Sequence, residues 1–231
     1  MNALPLFHFT ALQSSQGTVH LTEEIRKHAI TVLRMQAGEQ MMLTDGKGCS
    51  AQAVIVEADK KKLIVGLEEK VFHPAPPKKM ILGISLLKNT ARFEWMLEKV
   101  TEIGITEIIP LLAERTERQH FREERFQQIL VSACLQSGQY HFPILQQPLK
   151  FSALFDVDLP PAKFIAHCME GEKPQLAGQS EDSILLIGPE GDFTTEELAL
   201  SLEHQFAPVS LGESRLRTET AGIVGAVLLR G

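Results

Sequence analysis

The chain has 231 residues, 44% of them apolar and 23% charged, an ordinary balance for a folded protein that excludes disordered and fibrous chains. Its 23 basic and 29 acidic residues leave a net charge of −6, so composition by itself does not point to a nucleic-acid binder. That length suits one large domain or two smaller ones. Cys49, Cys134 and Cys168 are far apart, without metal-ligand or redox spacing, and are expected to be buried as small hydrophobes. The N-terminus lacks a basic, apolar export signal, and no apolar stretch nears the roughly 20 residues of a membrane span. Free thiols and no export signal give a cytoplasmic expectation, with no membrane. The eight histidines show no ligand spacing, so no metal is expected.

In chain order, the first expected element is a helix over Thr22 to Leu33. Thr22 can cap it, and Glu23 and Glu24 favour the positive end of its dipole. Gln40 to Thr44 reads as a strand, followed by the turn Asp45-Gly46-Lys47-Gly48. Strands over Ser50 to Glu57 and Leu63 to Leu67 complete what looks like a small barrel. Pro74, Pro76 and Pro77 then break any helix or central strand, which marks a linker. Two domains are expected, 1–73 and 78–231. Residues 1–75 carry eight basic and eight acidic side chains, whereas residues 76–231 carry 15 and 21.

Beyond the linker, strands alternate with helices. Met80 to Leu87 is an expected strand. Thr90 to Ile103 is a helix with Phe93, Met96, Leu97, Val100 and Ile103 on one face and Gly104 as its stop. Ile105 to Leu112 is a strand, and Arg122 to Ser137 a second helix closed by Gly138. Phe164 to Cys168 and Ser183 to Ile187 are strands. Thr194 to Glu197 forms a capping box at the start of another helix. Pro208 to Leu211 is a short strand, and Glu219 to Leu229 the last helix. Such alternation implies an α/β fold with a parallel sheet covered on both faces.

Two loops carry the unusual chemistry. Gly188-Pro189-Glu190-Gly191-Asp192 follows an apolar strand, and open α/β sheets place ligands at the carboxyl ends of such strands. Taken alone, it also fits a plain tight turn with a helix cap. It lacks the lysine of a phosphate loop, and Glu190 would repel phosphate. Leu211 to Ala221 packs two arginines, two acids and two threonines ahead of the apolar, glycine-containing helix Ala221 to Val227. A helix apolar all round is buried, so this charged loop has a buried base. Residues 127–231, which hold both loops, carry six basic and thirteen acidic side chains, a balance that can accommodate a cationic small ligand in an acidic cradle. A third segment, Lys88 to Gly104, places Lys88, Arg92 and Lys99 opposite its apolar stripe, and Arg115, Arg118, Arg122 and Arg125 follow.

Gly188-Pro189-Glu190-Gly191, Leu211-Gly212 with Leu216-Arg217-Thr218-Glu219-Thr220-Ala221, and the helix from Glu94-Trp95 to Ile103-Gly104 together resemble the RsmE family. The N-terminal part matches through His28, Val32-Leu33-Arg34-Met35, Gly38 and Asp45-Gly46-Lys47-Gly48. These are 16S ribosomal RNA (uracil-N3)-methyltransferases of the SPOUT superfamily. The resemblance implies a PUA-like β-barrel that helps hold RNA, then a SPOUT domain whose chain end threads a trefoil knot. It implies S-adenosylmethionine as cofactor, a homodimer, and 16S ribosomal RNA in the small subunit as partner. Carried over by motif, the cofactor would meet His167, Ile187, Gly188, Glu190, Gly191, Leu211, Gly212, Leu216 and Arg217. Arg217 would stabilise the uracil anion, and Glu219 would orient it or accept the imide proton. Phosphate contacts would come from Arg34, Lys88, Arg92, Arg115 and Arg118. The chain departs from the family pattern at Asp192, where a second glycine is frequent, at Gln139, where arginine is usual, and at Leu6-Phe7-His8. The alternatives are a SPOUT enzyme acting on another RNA such as transfer RNA, and an inactive RNA-binding assembly factor.

Overall fold

A computed structural model describes residues 4–117 and 120–231. The chain divides into two compact units. One holds the chain up to Ala75 together with Cys134–Phe142, and the other holds Pro76–Ala133 and Pro143–Gly231. No helix among the described residues is long and apolar enough to cross a membrane.

In the first unit, β1 (Leu6–His8), β2 (Thr18–His20), β3 (Gln40–Thr44), β4 (Cys49–Ala58) and β5 (Leu63–Phe72) form one sheet of order β1-β3-β4-β5-β2. β1 runs parallel to β3, and the other pairs are antiparallel. Alternate residues of β4, namely Cys49, Ala51, Ala53 and Ile55, enter one core with Leu43, Leu63 and Val65. Register shifts in the β4–β5 ladder bend both strands.

The helix expected over Thr22 to Leu33 splits in two. Thr22 caps α1 (Glu23–Arg26), its hydroxyl accepting from the Ile25 amide at 3.4 Å. Lys27–Val32 then widens into a π-helical turn, in which the Leu33 amide donates to the His28 carbonyl. The β-branched run Ile30-Thr31-Val32 disfavours a regular helix there. Arg34 follows with a φ of 58°, a left-handed conformation that side chains seldom adopt.

By sequence, Cys134–Phe142 falls in the second domain. The structure groups it with the first unit because the turn at Gly46 and Gly48 holds it. Gly48 donates to the Tyr140 carbonyl at 2.9 Å, and Phe142 donates to the Gly46 carbonyl at 2.8 Å. Tyr140 stacks on His73 with ring centroids 3.9 Å apart. A Cβ at Gly46 would run into the Phe142 ring, so this glycine serves packing as well as the turn.

The second unit is built from β6 (Met80–Ser85), α2 (Thr90–Ile103), β7 (Glu107–Leu112), α3 (Glu123–Ser137), β8 (Ile144–Leu145), β9 (Leu149–Lys150), β10 (Ala162–Ala166), β11 (Ser183–Ile187), α4 (Thr195–Glu203), β12 (Ala207–Val209) and α5 (Thr218–Arg230). The sheet order is β12-β10-β11-β6-β7-β8, with β9 also on β7, and every pair is parallel. β11 is buried along its length and alternates between two cores. Leu185 and Ile187 join Leu82, Ile84, Phe93, Met96 and Ala226 on one face. Ile184 and Leu186 join Ile109, Phe151, Ile165, Phe193 and Phe206 on the other.

α5 reaches the sheet through its glycines. A Cβ at Gly222 would lie 2.8 Å from Ile84, and one at Gly225 would overlap the Leu185 side chain. The last carbonyls of a helix lack partners within it. Here the Lys78 ammonium accepts that role, donating to the carbonyls of Leu229 at 3.1 Å and Arg230 at 3.0 Å, and also to that of Gln179.

Candidate active site

A parallel sheet sends all its strand-end loops to one edge. At that edge the segments following β6, β10, β11 and β12 enclose a cavity of about 710 Å³. Its apolar lining comes from Ala166, Ile187, Val209, Leu211 and Leu216.

The first loop leaves β11 at Gly188. A Cβ there would lie 3.1 Å from the Phe193 ring, so glycine lets the turn fold back on Phe193. Asp192 has a φ of 63°, a left-handed conformation that glycine adopts freely and aspartate tolerates. This explains physically why aspartate can stand where the family pattern often has glycine. Its carboxylate is also used. One oxygen accepts from the Cys168 amide at 2.8 Å, tying the end of β10 to the turn, and the other accepts from the Phe193 amide at 2.9 Å. Glu190 accepts from the Lys88 amide at 3.3 Å.

The segment after β10 is fixed by Lys173, whose ammonium donates to the carbonyls of His167 at 2.9 Å and Met169 at 2.6 Å. Burial, then the Lys173 ammonium, hold the His167 imidazole below its ordinary pKa, against a weaker opposing pull from Asp192. His167 is therefore neutral at neutral pH and adds no positive charge to the cavity.

The second loop runs from Ser210 into α5. Gly212 has a φ of 135°, which excludes a side chain on conformational grounds. Arg217 supplies the N-cap residue of α5, and Glu219 lies in its first turn, where the helix dipole favours a carboxylate. Glu219 is 6% exposed. The guanidinium of Arg92, from the first turn of α2, stands 3.5 Å from it. Arg217 is exposed, and its guanidinium makes no hydrogen bond or ion pair among the described residues.

Glu190, Asp192, Glu213 and Glu219 line the cavity, as do Arg92, Lys173, Arg215 and Arg217. The acidic cradle expected from composition is therefore corrected: the lining is evenly charged, and the buried charge within it is that of Glu219. Of the expected cofactor residues, His167, Ile187, Gly188, Glu190, Leu211, Gly212, Leu216 and Arg217 all line the cavity, as does Glu219. Gly191 does not. Its Cα packs on Arg115 instead, where a Cβ would sit 3.3 Å from the arginine stem. Cys168, expected to be buried, is exposed and lines the cavity. Cys134 is buried, which pushes its thiol up to about 12.

The expected phosphate contacts do not form one cluster. Arg34 is exposed on the first unit. Lys88 pairs with Glu117 at 2.7 Å, both exposed. Arg92 lines the cavity, and Arg115 donates to the carbonyl of Gly191 at 2.8 Å. Arg118 lies outside the described residues. Sequence reading missed Arg92, Lys173 and Arg215 as cavity residues. Arg92 was within reach of a topological argument, because a helix following a parallel strand starts at the ligand-binding edge.

This geometry agrees with what the chain resembles. An RNA methyltransferase domain is matched over residues 74–230, and an RNA methyltransferase PUA domain over residues 21–68. The chain is 32% identical to the ribosomal RNA small subunit methyltransferase E of Synechocystis, over 92% of this chain and 72% of the relative. Its fold is similar to that of a Porphyromonas gingivalis protein described as a probable rRNA-methyltransferase. Identity is 37% and the TM-score 0.89, over 96% of this chain and 95% of the other. It is also similar to the ribosomal RNA small subunit methyltransferase E of Neisseria gonorrhoeae, solved bound to S-adenosyl methionine, with 26% identity and a TM-score of 0.86 over 97% and 96% of the two chains. Fold and matched domains together define an RNA methyltransferase with a PUA domain ahead of it. Within that class, the chain belongs to the ribosomal RNA small subunit methyltransferase E family.

Proposed function

We propose that the protein transfers the methyl group of S-adenosylmethionine to N3 of a uracil in the 16S RNA of the small ribosomal subunit. The observation that carries this is the cavity at the carboxyl edge, which gathers both motif loops around one buried carboxylate. Its volume lies within the ~300–1,000 Å³ range of small-molecule sites. Apolar walls, glycine turns that bring backbone groups close, and the buried Glu219 fit a cofactor with a flat base and a cationic sulfonium. When bound, that cofactor supplies an electrophilic methyl group.

The chain's own residues do the rest. Ile187, Gly188, Leu211 and Leu216 bind the cofactor, with neutral His167 beneath. The N3–H of uracil must leave its proton as the new C–N bond forms and the S–CH₃ bond breaks. Glu219 accepts that proton. The guanidinium of Arg217, uncommitted among the described residues, stabilises the negative charge that develops on the imide. Arg92 lies beside Glu219 and keeps its charge compensated.

The target base must leave its stack to reach this cavity. The PUA domain, with Arg34 on its surface, holds RNA, as do Lys88 and Arg118. The protein works as a homodimer in the cytoplasm, and its C-terminal domain carries the trefoil knot of the SPOUT superfamily. Exposed Trp95 on α2 and Val227 on α5 are apolar surface of the kind that a second copy covers. Incubation with S-adenosylmethionine and undermethylated small subunits, followed by nucleoside analysis, is expected to yield 3-methyluridine in 16S RNA. Cofactor binding with no methylated nucleoside in that RNA would reject the assignment.

A further inference from the structure

The segment after β7 touches both the first loop and the start of α4, the helix that follows it. The Glu114 amide donates to one carboxylate oxygen of Glu197 at 2.8 Å. The other oxygen of Glu197 accepts from the Thr194 amide at 2.9 Å, completing the capping box that starts α4. The next residue, Arg115, donates through its guanidinium to the Gly191 carbonyl at 2.8 Å and to the Phe193 carbonyl at 3.5 Å. Its stem lies against Gly191, where a Cβ would come within 3.3 Å of both its Cβ and its Cδ. The first loop is thus gripped on its outer side by Arg115, while Asp192 ties its inner side to Cys168.

We propose that Arg115 is a positioning residue for the cofactor loop and not an RNA phosphate contact. Three points support this. Gly191 faces Arg115 and not the cavity, so its lack of a side chain is explained by Arg115. The carbonyls that Arg115 holds flank Asp192, whose carboxylate fixes the edge of the cavity. A charged donor on a carbonyl is also among the stronger hydrogen bonds of a protein. The proposal rests on the reading of this cavity as the S-adenosylmethionine site.

The test compares wild type with Arg115→Ala and Arg115→Lys. Arg115→Ala is expected to weaken S-adenosylmethionine binding by about tenfold, the factor carried by loss of one hydrogen bond from a charged group. The KM for S-adenosylmethionine should rise in parallel. The KM for small-subunit RNA, and the salt dependence of RNA binding, should stay within about twofold, since no phosphate contact is lost. Arg115→Lys keeps one cationic donor and is expected to recover most of the affinity. In the ligand-free protein, amide exchange at residues 188–193 should quicken in Arg115→Ala while the strands keep their protection.

A higher KM for RNA with unchanged cofactor affinity would overturn the proposal, and so would unchanged exchange at residues 188–193. Should wild type itself fail to bind S-adenosylmethionine, the cofactor reading falls, and the exchange comparison still decides whether Arg115 braces the loop. If Arg115→Ala does not fold, Arg115→Lys carries the same comparison, with its smaller loss expected in cofactor affinity and not in RNA affinity.

Discussion

The two loops of the cavity are built on opposite plans. In the first, both carboxylates and the Gly191 carbonyl are committed: Glu190 to the Lys88 amide, Asp192 to two amides, and the carbonyl to Arg115. In the second, the side chains of Glu213, Arg215 and Arg217 make no hydrogen bond or ion pair among the described residues. The first loop is a fixed cradle whose shape is its contribution. The second presents uncommitted charges that a substrate can engage. Side-chain replacement in the first loop should therefore act on cofactor affinity and stability, and replacement of the charged side chains of the second on turnover.

The sharpest way to test this contrast is at Arg217. Arg217→Ala is expected to lower kcat by about a hundredfold or more, the scale of removing a group that stabilises developing negative charge. Calorimetry should show cofactor affinity changed far less. Gly188→Ala should act the other way. The new methyl would press on Phe193, costing about 1–3 kcal/mol of stability by overpacking and weakening cofactor binding with it. A thermal melt and a cofactor titration check both parts.

Asp192 gives a graded comparison. Asp192→Ala keeps the left-handed backbone and loses both carboxylate bonds, an expected cost of about 1–2 kcal/mol. Asp192→Gly loses the same bonds but relieves the backbone, so it should melt higher than Asp192→Ala. His167 supplies a pH effect. Its folded pKa lies below the ordinary value of 6.5, so the unfolded chain binds the proton more readily in that window. Stability should therefore rise with pH through this region and fall as the imidazole is forced to protonate. Between about pH 7 and pH 5, wild type should lose more stability than His167→Gln. The smallest effect is expected at the exposed Lys88–Glu117 pair. Glu117→Gln should leave stability almost unchanged, and more nearly so at high salt.

Much of this was legible in the residues. α2 spans Thr90–Ile103 as its apolar spacing requires, and Gly104 ends it in a left-handed conformation. β11 and the capping box of α4 also lie where the pattern put them. Those signals are local, and so they survive in sequence. What escaped detection was long-range. The pull of Tyr140 and Phe142 toward the turn at Gly46 depends on contacts across about 95 positions. β8 and β9 have two residues each, too few to show a period. The π-helical turn at Lys27–Val32 begins as an ordinary capped helix and departs only where β-branched residues accumulate. In the site, the motifs named the two loops, but composition misjudged the charge of the lining. Arg92 and Lys173 come from distant segments, and only the parallel topology brings them to the same edge.

The decisive experiment offers tritiated S-adenosylmethionine to undermethylated small ribosomal subunits and to transfer RNA in parallel, with wild type and Arg217→Ala. Label is expected in 16S RNA at a uracil N3 with wild type, little with Arg217→Ala, and none in transfer RNA. Label in transfer RNA with none in 16S RNA would contradict the proposed function.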